Sequence, residues 1–100
     1  MQSDVLSTAM ASATGNLRTA ENTADLGPCR IKGIYYSATV TGSVTLRDGG
    51  ATGPVICTFP VTPSANGLLW IPDNGLWFRR GTPHMTINGG AALSVTYFYA

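Results

Sequence analysis

Charge is scarce in this sequence. Only 11% of its 100 residues are Asp, Glu, Lys or Arg, and six basic against five acidic side chains leave a net charge of +1. An average soluble domain carries roughly 25%. Arg79-Arg80 is the sole adjacent basic pair, so the electrostatic footprint of a nucleic-acid binder is missing. Long apolar runs are missing too. Nothing approaches the about 18–20 residues of a membrane-spanning helix, and no membrane partner is expected. Met1 to Ala20 is small and polar, with no cationic stretch ahead of an apolar one, which predicts no secretory signal. Cys29 and Cys57 are too few for a disulfide scaffold and lack CxxC spacing. They read either as two buried free thiols or as a cross-strand disulfide.

The side chains of catalysis are equally thin. His84 is the single histidine, and Thr82-Pro83-His84-Met85 reads as a loop entering a strand. Zinc would need two ligands beyond the cysteines, so no metal is expected. Asp4, Glu21 and Asp25 lie in or beside the N-terminal segment. Asp48-Gly-Gly and Asp73-Asn-Gly have turn chemistry without the ligand spacing of a calcium loop. No two acids share a strand face for acid/base work, and no GxGxxG, GxxxxGK[ST] or GxSxG occurs. The expectation is a protein that is not an enzyme, with no cofactor and no small-molecule substrate.

What is abundant is hydrophobic residues, at 44%, together with thirteen threonines, seven serines and twelve glycines. Residues 1–26 are alanine, serine and threonine with few larger apolar groups, and read as an extended or disordered arm with a short strand near Asn16 to Arg18. Residues 27–100 read as strand, turn, strand. Ile31 lies on one parity and Ile34, Tyr36, Ala38 and Val40 on the other, so Gly33 marks a bulge. Ser43 to Arg47 alternates, with Val44 and Leu46 inward. Val55, Cys57, Phe59 and Val61 form an inward row, and Pro60 marks an edge strand. Leu68 to Ile71 and Leu76 to Arg79 flank a Pro72-Asp73-Asn74-Gly75 turn, which predicts a hairpin. Met85 and Ile87, then Leu93, Val95, Tyr97 and Tyr99 after a Gly89-Gly90 turn, complete about seven short strands with no competing amphipathic helix. The fold class is all-β, a small antiparallel sandwich or barrel carrying an N-terminal arm.

Function must then lie on the surface. A folded chain of this mass exposes about 5,400 Å², which eleven charges cover thinly, so copies of itself or a larger assembly are expected to cover much of it. Strand parity turns Trp70 and Trp77 outward with Arg79, and Arg80 follows at the strand end. Aromatics with arginine are the composition of an interface hot spot. Val5, Leu6 and Met10 supply apolar contacts from the arm. Exposed indoles also suit sugar stacking, with Asn66, Asp73 and Asn74 near in sequence.

Three segments carry a family resemblance. They are Arg30-Ile-Lys-Gly-Ile-Tyr-Tyr followed by Gly42-Ser-Val-Thr-Leu-Arg-Asp-Gly-Gly; Ile71-Pro-Asp-Asn-Gly-Leu-Trp-Phe-Arg-Arg-Gly; and the terminal Ser94-Val-Thr-Tyr-Phe-Tyr-Ala. From Arg30 to Ala100 the chain resembles small all-β virion structural proteins of tailed bacteriophages, although Arg79-Arg80 is more basic than that group has there. The resemblance implies a structural role in the virion, and the first expectation is a capsid decoration (cement) protein. Its partners would be the major capsid protein and other copies of itself, as symmetric trimers, in a virion assembled in the host cytoplasm. The rival expectations are a neck, tail or fibre-base component, and a carbohydrate- or receptor-binding β-module.

Overall fold

The computed structural model describes residues 6–62, 66–71, 75–88 and 93–100. Val5 and the Pro72-Asp73-Asn74 and Gly89-Gly90 turns lie outside the described residues. Among the described residues there are nine strands: β1 (Leu6–Ser7), β2 (Gly15–Asn16), β3 (Cys29–Ala38), β4 (Gly42–Arg47), β5 (Val55–Val61), β6 (Asn66–Trp70), β7 (Leu76–Phe78), β8 (His84–Asn88) and β9 (Leu93–Tyr99). They form two antiparallel sheets. One has the order β1-β9-β3-β6, with β7 also on β3, and the other has the order β2-β8-β4-β5.

Alternation builds the core between the sheets. Ile34, Tyr36 and Ala38 of β3 and Leu93, Val95 and Tyr97 of β9 point inward from the five-stranded sheet, and Val44, Leu46, Phe59, Val61 and Met85 from the other. The bulge expected at Gly33 is there: the register against β9 shifts between Ile31 and Gly33, so Ile31 and Ile34 both face the core. Pro60 lies in β5, an edge strand, as its missing N–H requires.

Two expectations are corrected. A register shift between Leu46 and Arg47 sets Val55 opposite Arg47 and outside the inward row, so Val55 is exposed while Cys57, Phe59 and Val61 keep the core phase. Leu76 to Arg79 does not fold back on Leu68 to Ile71. Both β6 and β7 pair with β3, along the same edge one after the other: Trp70 opposes Gly33 and Trp77 opposes Arg30.

The N-terminal segment is extended, as its composition implied, but it is stitched to its own domain. β1 pairs with β9 and β2 with β8, while Ala11 and Val95 exchange backbone bonds of 2.8 Å. The Thr8 hydroxyl accepts from the Tyr97 N–H at 3.0 Å. Leu17, 1% exposed, and Leu26 enter the core. Residues 6–26 therefore close one lateral side of the sandwich, across the β9 and β8 edges.

Candidate functional site

Among the described residues, the outward positions of the five-stranded sheet collect half of the large exposed apolar side chains, including both indoles. Trp70 is 62% exposed and Trp77 44%, with Leu68 and Tyr35 exposed beside them. Register explains the grouping, since Gly33–Trp70 and Tyr35–Leu68 are successive outward pairs between β3 and β6, and Phe98 flanks Gly33 on the β9 side. The Trp70 and Phe98 rings stack with centroids 5.7 Å apart and planes inclined by 27°. A Cβ on Gly33 would come within 2.7 Å of the Trp70 ring. Glycine there lets the indole lie flat on the backbone, the cross-strand covering of a strand glycine by an aromatic.

Arg30 sets a cation against this face. Its guanidinium carbon lies 4.6 Å from the centroid of the Trp77 ring, well inside cation–π range. Arg30 and Gly33 are successive outward positions of β3, so the two indoles sit roughly 10 Å apart along one edge. They do not face each other across a hairpin.

Parity thus places Trp70 and Trp77 outward as expected, and Arg79 and Arg80 follow at the end of β7. Both are exposed. The Arg80 N–H donates to the Asp48 carboxylate at 3.2 and 3.3 Å, and the Arg80 side chain crosses Gly49, where a Cβ would meet its Cδ at 3.1 Å. With Gly49 N–H donating to Gly81 O at 3.0 Å, Arg80 clasps the Asp48-Gly49-Gly50 loop of the opposite sheet. Leu6 and Met10 are exposed at the arm. Leu6 opposes Tyr99 and so has the other parity from Phe98; together with Ser7, Thr19, Ala20 and Glu21 it borders a shallow groove apart from the indoles. The arm and the aromatic face are therefore two surfaces.

Sequence reasoning missed Arg30, Tyr35, Leu68 and Phe98. Tyr35 and Phe98 could have been found by the parity that turned Tyr36 and Tyr97 inward. Arg30 could not, because its pairing with Trp77 depends on a long-range register.

The titratable groups inside the sandwich are held away from reactivity. Burial, and secondarily the Asp48 carboxylate, push the Cys29 thiol up to about 11, and burial raises Cys57. Both are free thiols, Cys29 buried and Cys57 half-buried, and they lie in different sheets; raised thiols are poor nucleophiles. Burial, then Cys57, lift the Tyr97 phenol far above its ordinary value, and its hydroxyl has no hydrogen-bond partner among the described residues. His84 is buried at the start of β8, with its pKa lowered by burial and then by Arg47. Among the described residues no three His, Cys, Asp or Glu side chains gather as a metal site.

Fold and surface together define a small antiparallel β-sandwich that displays a flat aromatic face on a rigid sheet. No protein-family model, curated protein or solved structure matches the chain.

Proposed function

We propose that this chain is a non-enzymatic structural protein of a tailed-phage virion, a decoration protein that binds the assembled head where major capsid subunits meet. Its docking surface is the outer face of the five-stranded sheet. The observation that carries the docking reading is the pair of exposed indoles, Trp70 and Trp77, set on sheet backbone with Arg30 against one of them. Rigid aromatics bury large area at low entropy cost, and arginine pairs with apolar or acidic partner groups without the hydration of lysine. The virion reading is supported by the resemblance, whose segments form the adjacent strands β9, β3 and β7 together with β4. A ligand that binds only the assembled shell stabilises it by mass action, and free thiols suit assembly in a reducing cytoplasm.

Copy number per purified particle, by quantitative mass spectrometry against the most abundant shell protein, tests the location. Hundreds of copies support decoration, whereas a dozen or fewer move the chain to the neck or tail. Trp77→Ala tests the surface. It should lower particle occupancy while leaving the melting temperature within a few degrees, and unchanged occupancy would overturn the assignment.

One observation favours a second reading. Trp70 lies flat and open over Gly33, a geometry that also suits the C–H face of a pyranose. Saccharide-dependent quenching of tryptophan fluorescence, abolished in Trp70→Ala, is the expected signature of that activity.

A further inference from the structure

The lateral sides of the sandwich are unequal. On one side the arm lays β1 on β9 and β2 on β8. On the other, the four-stranded sheet ends at β5 and the five-stranded sheet at β6 and β7, and no described strand pairs with their far edges. Unpaired edges template association, and proteins blunt them with short strands, prolines, bulges or charge. Four edges are blunted here. β1 and β2 are two residues each and β7 is three, and β5 carries Pro60 and a register shift. Asn66-Gly-Leu-Leu-Trp, the whole of β6, contains no proline and no charge.

We propose that β6 pairs edge to edge with β6 of a second copy of this chain, antiparallel and about a two-fold axis at Leu68. The backbone directions follow from one bond: the Ile71 N–H donates to Lys32 O at 2.9 Å, so Ile71 faces β3. In an antiparallel ladder the facing residues alternate, which turns Leu69 and Gly67 toward β3 and the N–H and C=O of Asn66, Leu68 and Trp70 toward the open side. Those three residues are self-complementary. Asn66 meets Trp70 of the second copy, Leu68 meets Leu68, and Trp70 meets Asn66, so each outward donor finds an acceptor. The pairing joins the two outer faces into one continuous surface, and the exposed Leu68 side chain lies beside its counterpart with no like charges opposed. An isologous edge closes after two copies. This contact therefore makes a pair where the sequence led to an expected trimer. The inference does not rest on the virion reading, because it concerns the isolated chain.

Native mass measurement at tens of micromolar tests it. The expected species is twice 10.5 kDa. Leu68→Pro removes an N–H that β3 does not use, so it should give a folded single copy. Tyr35→Ser, which trims the face and leaves the edge, should keep the pair. A wild-type chain that is single at every concentration, a mass of three copies, or a folded Leu68→Pro that still pairs would each overturn the proposal, as would dissociation by Tyr35→Ser. If Leu68→Pro does not fold, amide exchange of the wild type decides. Protection at Leu68 and Trp70 should rise about tenfold over an on-the-order-of hundredfold increase in concentration, and protection independent of concentration would refute the pairing.

Discussion

The two outer faces of this sandwich are built on the same alternation and end in opposite chemistry. On the four-stranded sheet the outward positions hold Pro60, then Arg47, His84 and the exposed Val55 at one end, and between them Ser43, Thr45, Thr58, Thr86 and Asn88. The hydroxyls and the amide bond to one another. The Asn88 amide donates to Ser43 Oγ at 3.2 Å and to Thr45 Oγ1 at 3.0 Å, and the Thr45 and Thr58 hydroxyls are 3.2 Å apart. On the five-stranded sheet the corresponding positions hold Trp70, Trp77, Phe98, Tyr35 and Leu68, giving way to Ser37, Thr96 and Ser94 farther along. A chain with 11% charge thus keeps one face wetted by neutral hydroxyls and amides. Apolar bulk concentrates on the other, and large exposed apolar patches mark interaction sites.

The sharpest way to break the contrast is Gly33→Val. The added atoms must displace the Trp70 ring and press on Phe98, whose Cδ2 is 3.2 Å from the Cβ position. Overpacking of this kind costs about 1–3 kcal/mol, so thermal unfolding should occur several degrees lower, with Trp emission shifted to the red as the indole leaves its seat. An unchanged melting curve and spectrum would mean that the flat seat of Trp70 is not a feature of the protein in solution.

A matched pair of substitutions sharpens the comparison at smaller cost. Trp70→Ala forfeits the stack on Phe98, worth about 0.5–1.5 kcal/mol. Thr45→Val removes the hydroxyl contacts with Asn88 and Thr58 for about 0.5 kcal/mol in this half-exposed setting. The functional order should be more lopsided than the stability order: Trp70→Ala weakens partner binding and Thr45→Val leaves it unchanged. Equal losses in a binding assay would place the partner on both faces and erase the distinction.

The inward and outward sides of the strands were legible because alternation with period two is local. Gly33 announced its bulge through the phase change between Ile31 and the row of Ile34, Tyr36 and Ala38 in β3. What failed was partner choice. Pro72 to Gly75 has the chemistry of a tight turn, and that chemistry is equally satisfied whether the chain folds back on itself or steps along the edge of a long neighbour. At ten residues, β3 is long enough to hold β6 and β7 in succession, a fact no local signal carries. The Arg30–Trp77 contact was hidden for the same reason. Val55 was misplaced because the shift at Arg47 arises from pairing with β4, with no glycine to mark it. Leu17 and Leu26 stand isolated among polar residues, so nothing periodic disclosed that they enter the core.

The polar face carries the smallest of the expected effects, and it depends on pH. His84 and Arg47 are cross-strand neighbours, and the Thr86 hydroxyl lies 3.4 Å from His84 Nδ1. Burial first, then the guanidinium, lower the pKa of the imidazole from its ordinary 6.5. In the unfolded chain the ring takes up its proton near pH 6.5, while in the folded protein it resists until a lower pH. Between those two values the unfolded state binds more protons, so stability falls as the pH drops through that window and is unaffected above it. Melting temperatures taken from pH 7.5 down to 5 should therefore decline for the wild type and decline less for His84→Gln. Arg47→Gln should give an intermediate slope, since it removes the second cause and leaves the first. Parallel slopes for wild type and His84→Gln would show that the imidazole titrates alike in both states, and that the four-stranded face is as indifferent to acid as its hydroxyl lattice alone would make it.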